Sequence, residues 1–159
     1  MLVRDLMTTN VASLQSNETL SEAARLMWNC DCGAVPVTDS VDRVIGMITD
    51  RDICMATWSK DQPPSAIRVR DAMSGELFHC GPSDSVSSAE NLMRSQQIRR
   101  VPVLDGDQKL VGILSLADIV KESQRPSSRR SSELSSSEIA ATLANICQPR
   151  TGRTSSAVV

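Results

Sequence analysis

The feature that most constrains this chain is an internal repeat, because residues 3 to 53 recur without a gap at a constant offset of 66 residues. Each copy ends in a Gly-x-x-[Thr/Ser]-x-x-Asp sequence, from Gly46 to Asp52 and from Gly112 to Asp118. The same offset pairs Val3-Arg4-Asp5-x-Met7 with Val69-Arg70-Asp71-x-Met73, and Val35-Pro36-Val37 with Val101-Pro102-Val103. Because one unit of this size buries too little apolar surface to be stable alone, the two copies are expected to pack together as a pseudo-symmetric pair.

Each copy predicts the order strand, helix, strand, strand, helix, and therefore a mixed α+β (α/β) fold. Two short apolar runs around a polar turn predict a hairpin, at 34–37 with 44–48 and at 101–104 with 110–114. A second helix is expected over 49–56 and 115–124, and a short strand near Val11 or Phe78 should precede each first helix. The first helix is marked by apolar residues at helical spacing, which are Leu20, Ala23, Ala24, Met27 and Trp28 in one copy and Val86, Ala89, Leu92 and Met93 in the other.

The boundaries of the two repeats follow from composition. Repeat 1 is predicted over residues 1–58 and repeat 2 over 68–123, joined by a connector at 59–67 whose Pro63-Pro64 pair cannot continue a helix. Residues 124–159 are rich in Ser and Arg, which predicts a flexible tail. Within it, Ser135-x-x-Glu138 is a possible capping box for a short helix at 136–147.

Charge and composition argue against several classes of partner, although a local basic patch is left open. A formal net charge of −2 provides no bulk basic field, which makes nucleic acid an unlikely partner. No apolar run approaches the ~20 residues that a membrane span needs, and the N-terminus lacks a signal-peptide core, so we expect no membrane partner and a cytoplasmic location. The five cysteines form an odd set, which favours reduced thiols. Because only 2% of the residues are aromatic, a bound base would be held mainly by backbone and aliphatic groups.

The matched Val-Pro-Val and Gly-x-x-[Thr/Ser]-x-x-Asp sequences resemble the cystathionine-beta-synthase (CBS) domain family over about residues 1 to 123. The resemblance implies two β-α-β-β-α repeats packed as a pseudo-twofold pair, a stand-alone regulatory module that commonly forms a homodimer shaped as a flat disc. It also implies clefts that bind AMP, ADP or ATP, with S-adenosylmethionine or NAD(H) as possible related ligands. Such a module would pass occupancy to an effector protein, which the sequence does not name.

The repeated turn that ends in Asp52 and Asp118 has two interpretations that can coexist. A Thr or Ser at the start of a helix with an acidic residue three positions later is close to a capping box, which needs no ligand. Alternatively, Thr49 or Ser115 and the exposed N–H groups of the helix end contact a phosphate. Because a carboxylate would repel that phosphate, Asp52 and Asp118 are then expected to accept hydrogen bonds from ribose hydroxyls.

The two copies differ just before Val-Pro-Val, where Arg99-Arg100 matches Gly33-Ala34. Arginine suits phosphate because its planar fork donates hydrogen bonds in pairs and stays charged, so the stronger phosphate site is predicted in repeat 2. A solvated surface pair is the alternative. The first site could recruit Arg51 or take a less charged adenosyl compound, and Gly33 would permit close backbone approach.

The strand residues complete the predicted binding set. Pro36 and Pro102 are expected on edge strands, where they either leave backbone groups free for an adenine edge or simply end the strand. Val35 and Val101 are expected in the wall of a cleft or in the core. The ligand-binding set is therefore Gly33, Ala34, Val35, Pro36, Thr49, Arg51, Asp52, Arg99, Arg100, Val101, Pro102, Ser115 and Asp118.

Metal and enzyme functions have little support. Cys30-x-Cys32 with His79-Cys80 has poor spacing for zinc, so no metal is expected. The chain has one His and lacks both a nucleophile elbow and a phosphate-binding Gly-x-x-x-x-Gly-Lys-[Ser/Thr] loop, so it is not expected to be an enzyme. The other function left open is a ligand-free dimerisation scaffold, in which a helix carrying Ile139, Leu143 and Ile146 docks a protein partner.

Overall fold

The computed structural model of the chain describes residues 1–124 and 136–148. The first repeat contains β1 (Leu14–Gln15), α1 (Leu20–Asn29), β2 (Ala34–Thr38), β3 (Val44–Thr49) and α2 (Asp50–Lys60). The second contains α3 (Val86–Gln96), β4 (Arg100–Leu104), β5 (Leu110–Ser115) and α4 (Leu116–Ser123), and α5 (Ser136–Ile146) follows it. Two similar halves with both helices and small sheets confirm the predicted mixed α+β fold.

The strand that opens each repeat is short, as predicted, and lies a few residues beyond Val11 and Phe78. β1 pairs in parallel with β2, and Ser16 extends the contact by donating its N–H to Thr38 over 3.0 Å. In repeat 2 the same register survives only as one bridge between Cys80 and Val103. The residue matching Ser16 is Pro82, which has no N–H to donate, so the second repeat cannot extend the pairing in the same way.

The first helix of each repeat buries the expected apolar stripe except at Ala24 and Trp28, which are exposed. Leu20, Ala23 and Met27 are buried in α1, and their side chains form part of the repeat 1 core. A capping box fixes the start of α1, because Thr19 accepts from the N–H of Glu22 and the Glu22 carboxylate accepts from the N–H of Thr19. Trp28 does not join the core as the spacing predicted, since its side chain is 87% exposed on the outer side of the helix.

The predicted connector between the repeats contains ordered structure. α2 continues to Lys60 and ends where Asp61 adopts a left-handed conformation with φ of 49°. Residues 64–66 form a 3-10 turn, and Ile67 is buried in the core of repeat 1. The predicted connector at 59–67 therefore contains the end of one helix and a core residue, because the two prolines lie beyond the helix rather than at its end.

The segment that precedes each repeat packs on the other repeat. Thr8 exchanges two backbone hydrogen bonds of 2.9 Å with Ile113 in β5, and Ser74 donates to Met47 in β3 over 2.9 Å. Val3 is fully buried in the core of repeat 2, and Val69 is fully buried in the core of repeat 1. The first residues of repeat 1 therefore complete the core of the other half.

Two matched glycines allow this exchange. A Cβ atom on Gly46 would lie 2.5 Å from the backbone oxygen of Ser74, and one on Gly112 would lie 2.9 Å from that of Thr8. Carbon and oxygen atoms cannot approach so closely, so any larger residue would push the crossing segment away. The glycine of each Gly-x-x-[Thr/Ser]-x-x-Asp sequence is therefore required by backbone packing.

The helix α5 covers repeat 2 by packing across α3 and α4. Ile139 is buried and Ile146 packs against the same core, while Leu143 is 47% exposed. The tail helix is therefore docked on its own chain. Ile139 and Ile146, two of the three apolar residues that were expected to bind a partner, pack instead on the core of repeat 2. Ser135, the expected cap, lies outside the described residues. Among the described helices, none has the length and apolar character to cross a membrane.

Candidate functional site

The hairpin of each repeat brings its predicted site residues to one end of the sheet. In the β2–β3 ladder Ala34 lies opposite Thr49, and in the β4–β5 ladder Arg100 lies opposite Ser115. The chain turns directly from β3 into α2 and from β5 into α4, so each hydroxyl residue is the last of a strand and the N-cap of a helix. The strand end and the helix N-terminus therefore meet at one place in both repeats.

A complete capping box forms at both turns. Oδ2 of Asp52 accepts from the N–H of Thr49 over 2.9 Å and from its hydroxyl over 2.6 Å, and Asp118 makes the same two bonds to Ser115 at the same distances. The hydroxyl of Thr49 or Ser115 therefore donates its proton to the aspartate carboxylate of the same turn. Within the described chain, Oδ1 of either aspartate accepts no hydrogen bond, so a second acceptor remains at each turn.

The two helix N-termini differ in their capacity to hold an anion. In α2 the carboxylate of Asp50 accepts from the N–H of Arg51 over 2.7 Å, which consumes that donor and adds a negative charge. The matching positions in α4 are Leu116 and Ala117, and the N–H of Ala117 has no acceptor among residues 1–124 and 136–148. Because free N–H groups and the positive helix end attract anions, α4 is the more favourable terminus.

The charged residues predicted around these turns are accessible. Arg51 and Arg99 are exposed and Arg100 is half-buried, and in the described part of the chain no carboxylate forms an ion pair with them. The carbonyl of Arg99 accepts from the N–H of Leu116 over 2.8 Å, which ties this segment to the start of α4. Gly33 accepts from Asp50 in the same way over 3.2 Å.

The strand residues of the predicted set are buried. Val35 and Val101 are at most 1% exposed and belong to the two cores, so their side chains pack the interior and do not line an open cleft. Pro36 lies on β2, the central strand of a three-stranded sheet, so its predicted edge position is wrong. The carbonyl of Pro102 points away from β5 and accepts from the N–H of Cys80 over 3.2 Å. In an antiparallel pair the N–H and C=O of one residue lie on the same side, so the N–H that Pro102 lacks would not have bonded to β5 and the hairpin is not interrupted.

A separate open groove of about 850 Å³ lies on the outer side of repeat 1, between α1 and α2. Of the thirteen predicted ligand residues it is lined only by Gly33, where a Cβ atom would lie 3.0 Å from Oδ2 of Asp50. Both tryptophans of the chain line it, together with Ala24 and Cys54. Neither this groove nor the Asp50–Leu116 difference was predicted from the sequence, although the 66-residue offset aligns Asp50 with Leu116.

The cysteines show no metal site. In the part of the chain that the structure describes, no three His, Cys, Asp or Glu residues are grouped so as to hold a metal ion. All five cysteines are free thiols. Cys80 is buried, and this burial, aided by the nearby charge of Asp84, raises the pKa of its thiol to about 11.

Two homologous halves, joined through exchanged leading segments and each containing a capped strand-to-helix turn, define a tandem pair of repeats. The CBS domain family model matches residues 3–58 and 69–125, and the chain belongs to the CBS domain family. The CBS domain-containing protein YhcV of Bacillus subtilis is 41% identical over 117 residues, which cover 74% of this chain and 81% of that protein. Hypoxic response protein 1 of Mycobacterium tuberculosis is 34% identical over 118 residues, which cover 74% and 82%.

Solved structures agree with this assignment. The crystal structure of Hypoxic Response Protein I with two coordinated zinc ions has a TM-score of 0.71 and 32% identity, and the match covers 79% of this chain and 100% of that one. The CBS domain pair of protein MJ0100, solved with 5′-methylthioadenosine and S-adenosyl-L-methionine, has a TM-score of 0.70 and 24% identity over 77% of this chain and 94% of that one. The second likeness is one of fold.

Proposed function

We propose that this chain is a regulatory module that binds a phosphorylated adenosyl ligand, AMP, ADP or ATP, at the turn where β5 meets α4. The observation that carries the proposal is the juxtaposition of Arg100 with Ser115 at the start of a helix whose Ala117 N–H has no acceptor in the described chain. A guanidinium, a free amide and the positive helix end together form a phosphate-binding arrangement.

The sugar end of the ligand would meet Asp118. Its Oδ2 is occupied by the capping box, so Oδ1 is the atom that would accept hydrogen bonds from a ribose diol. The capping and ligand-binding interpretations are then compatible, since they use different oxygens of one carboxylate. The fold is that of MJ0100, a protein solved with two adenosyl compounds, so the architecture is compatible with this ligand class.

The turn at the start of α2 is the weaker phosphate site in this proposal. Asp50 accepts from the N–H of Arg51, whose counterpart in α4 has no acceptor in the described chain, and its charge would repel an anion. Ala34 stands at the position that Arg100 has in repeat 2. S-Adenosylmethionine, which carries no phosphate, or the less charged part of NAD(H) would suit this turn better. The module would be a homodimer that signals ligand occupancy to an effector protein and performs no catalysis.

Isothermal titration calorimetry with AMP, ADP, ATP, NADH and S-adenosylmethionine tests the proposal, with adenosine as the unphosphorylated reference. We expect a phosphorylated ligand to bind more tightly than adenosine and to raise the melting temperature, since ligand at a hundredfold excess over Kd stabilises the folded state by about 2.7 kcal/mol. Arg100→Ala places the residue of repeat 1 at the matching position of repeat 2 and should remove the preference for phosphate. If none of the five compounds binds, the proposal is wrong.

A further inference from the structure

The side chain of Gln97 connects the tail helix to the segment that carries the predicted phosphate-binding arginines. Gln97 follows directly after α3, and its side-chain amide donates to the carbonyls of Asn145 over 3.0 Å and of Gln148 over 3.2 Å. These carbonyls belong to the last turn of α5 and the residues just after it. Because the last carbonyls of a helix lack the partners that the others have within the helix, Gln97 acts as a cap at the end of α5.

The same stretch of backbone leads directly to the ligand turn. Only Ile98, which packs against the core of repeat 2, separates Gln97 from Arg99-Arg100. The carbonyl of Arg99 accepts from the N–H of Leu116 over 2.8 Å, which joins this segment to the first residue of α4. Three residues span at most about 10 Å. The end of α5, the two arginines and the start of α4 are therefore held by one short segment, residues 97–100.

The backbone conformation of Gln97 does not favour a glutamine. Its φ of 53° and ψ of 42° lie in the left-handed region, which residues with a Cβ atom adopt at a steric cost. Glycine adopts this conformation freely and is the residue usually found just after a helix. The hydrogen bonds of the Gln97 side chain to α5 offset this disadvantage, so the side chain has a role that glycine could not fill.

Repeat 1 has the same turn with a different attachment. The 66-residue offset pairs Gln97 with Asp31, whose φ of 48° is also left-handed. The backbone bonds match as well, because Asp31 donates its N–H to Trp28 over 3.3 Å and Gln97 donates to Arg94 over 3.4 Å. Asp31 is exposed and lines the open groove, whereas Gln97 is half-buried and bonded to α5. The two repeats therefore share the turn, and the tail helix holds that of repeat 2.

The helix α5 is bonded to α3 along its whole length. Near its start the guanidinium of Arg94 donates to the carbonyl of Glu138 over 3.4 Å. In the middle, the hydroxyl of Thr142 accepts from Nε of Arg94 and donates to the carboxylate of Glu90. Gln97 makes the contact at the end of the helix. Release of α5 would therefore break the bonds of Gln97 together with the others.

We propose that Gln97 is a positioning residue for the phosphate site at the start of α4, and that the docked helix α5 holds Arg99-Arg100 in place through it. This role rests on the site given under Proposed function and adds its regulation. Docking of α5 and binding of a phosphorylated ligand both restrict residues 97–100, so each favours the other, and by the same factor. A bound nucleotide keeps α5 docked, and its departure makes the tail helix easier to release.

Gln97→Gly tests the role of the side chain, because it removes both bonds to α5 while the backbone conformation suits glycine. Calorimetry of the full chain should show the Kd for AMP rising about tenfold, a typical size for such coupling. The Kd for adenosine should not change, since the arginines contact the phosphate, whereas general damage to the fold would weaken both ligands. Asp31→Gly makes the matching change in repeat 1 and should leave the Kd for AMP at the wild-type value.

Hydrogen exchange of the α5 amides measures the reciprocal effect. Saturating AMP should slow this exchange about tenfold in the wild-type chain, and the protection should disappear in Gln97→Gly. If AMP binds more tightly than adenosine but α5 exchanges at the same rate with and without it, the phosphate site stands and the coupling is wrong. Wild-type affinity for AMP in Gln97→Gly has the same meaning. If the wild-type chain shows no preference for AMP over adenosine, the site itself is wrong and the coupling fails with it.

Discussion

Thr142 donates a hydrogen bond of 2.6 Å to Glu90 across the contact between α5 and α3, and both residues are buried. Arg94 joins them, with a bond of 2.9 Å to the Thr142 hydroxyl and a 3.5 Å ion pair with Glu90. Because buried polar groups lose water on folding, each of the three depends on the others for its hydrogen bonds. The tail helix is therefore attached to repeat 2 by a specific polar network as well as by Ile139.

Thr142→Val should loosen the attachment of α5. The substitution keeps the shape of the side chain but leaves the buried carboxylate of Glu90 without its hydroxyl donor, at a cost of about 1–3 kcal/mol. Hydrogen exchange of the α5 amides should accelerate accordingly, whereas the amides of β2 and β3 should be unaffected. Leu143→Ala, at an exposed position of the same helix, is the control. Equal acceleration in both variants would contradict a role for the network.

Gly112→Ala should destabilise the whole pair. The new Cβ atom would lie 2.6 Å from Sδ of Met7 and 2.9 Å from the oxygen of Thr8, so the exchanged leading segment must move. Overpacking of this kind costs about 1–3 kcal/mol, which would lower the urea midpoint without changing the slope. Gly106→Ala is the matched control, because nothing lies within 4 Å of its added Cβ atom. A similar midpoint for both variants would rule out the steric requirement.

Cys80 should resist alkylation while the protein is folded. Its thiolate is the reactive form, and burial raises its pKa to about 11. Iodoacetamide at pH 8 followed by mass spectrometry should label the exposed Cys30, Cys54 and Cys147 first and Cys80 only in denaturant. Between pH 9 and pH 11 the unfolded thiol ionises but the folded one does not, so this group should make stability fall as pH rises. Rapid labelling of native Cys80 would refute its burial.

Asp118→Ala should weaken nucleotide binding more than Asp52→Ala. Both substitutions remove the same two capping hydrogen bonds, at 2.9 and 2.6 Å, so each should cost about 1 kcal/mol of stability. Only the turn of Asp118 combines an arginine on the paired strand, Arg100, with a helix N–H that has no acceptor in the described chain, that of Ala117. A difference in ligand affinity would therefore report the ligand site rather than the cap. Calorimetry on both variants at one temperature gives the comparison. Equal losses of affinity would contradict the asymmetry.

The repeat made the fold predictable, and a local difference limited the prediction of individual elements. Hairpins and capped helices are encoded within a few residues, as in Thr49 with Asp52, and the spacing identified them. The first strand of repeat 2 was not predictable in this way. Its reduction to one bridge depends on a tertiary contact with β4, which Pro82 cannot extend because it has no N–H to donate. The exchange of Val3 and Val69 between cores likewise depends on tertiary packing that periodicity does not contain.

The candidate site was predictable in position more than in detail. Spacing placed Arg100 near Ser115, and the ladder register puts them opposite each other. Val35 and Val101 could belong to a cleft or to the core on sequence grounds, since an aliphatic residue suits either, and only the fold shows them buried. Trp28 falls at the helical spacing of the apolar stripe of α1, and only the fold shows it exposed. Its exposure depends on which side of α1 packs on the sheet, and this is determined by tertiary packing rather than by the sequence of the helix.

The exchanged leading segments also bear on how the chain acquires its structure during synthesis. Thr8 pairs with Ile113, so the residues around Thr8 leave the ribosome long before their partners in β5 are synthesised. Repeat 1 in turn lacks Ile67 and Val69 until the start of repeat 2 has emerged. Contacts so distant in sequence slow folding and make it cooperative. A nascent chain stalled midway would therefore expose the incomplete core of repeat 1 and the unpaired segment around Val3 to chaperones and proteases.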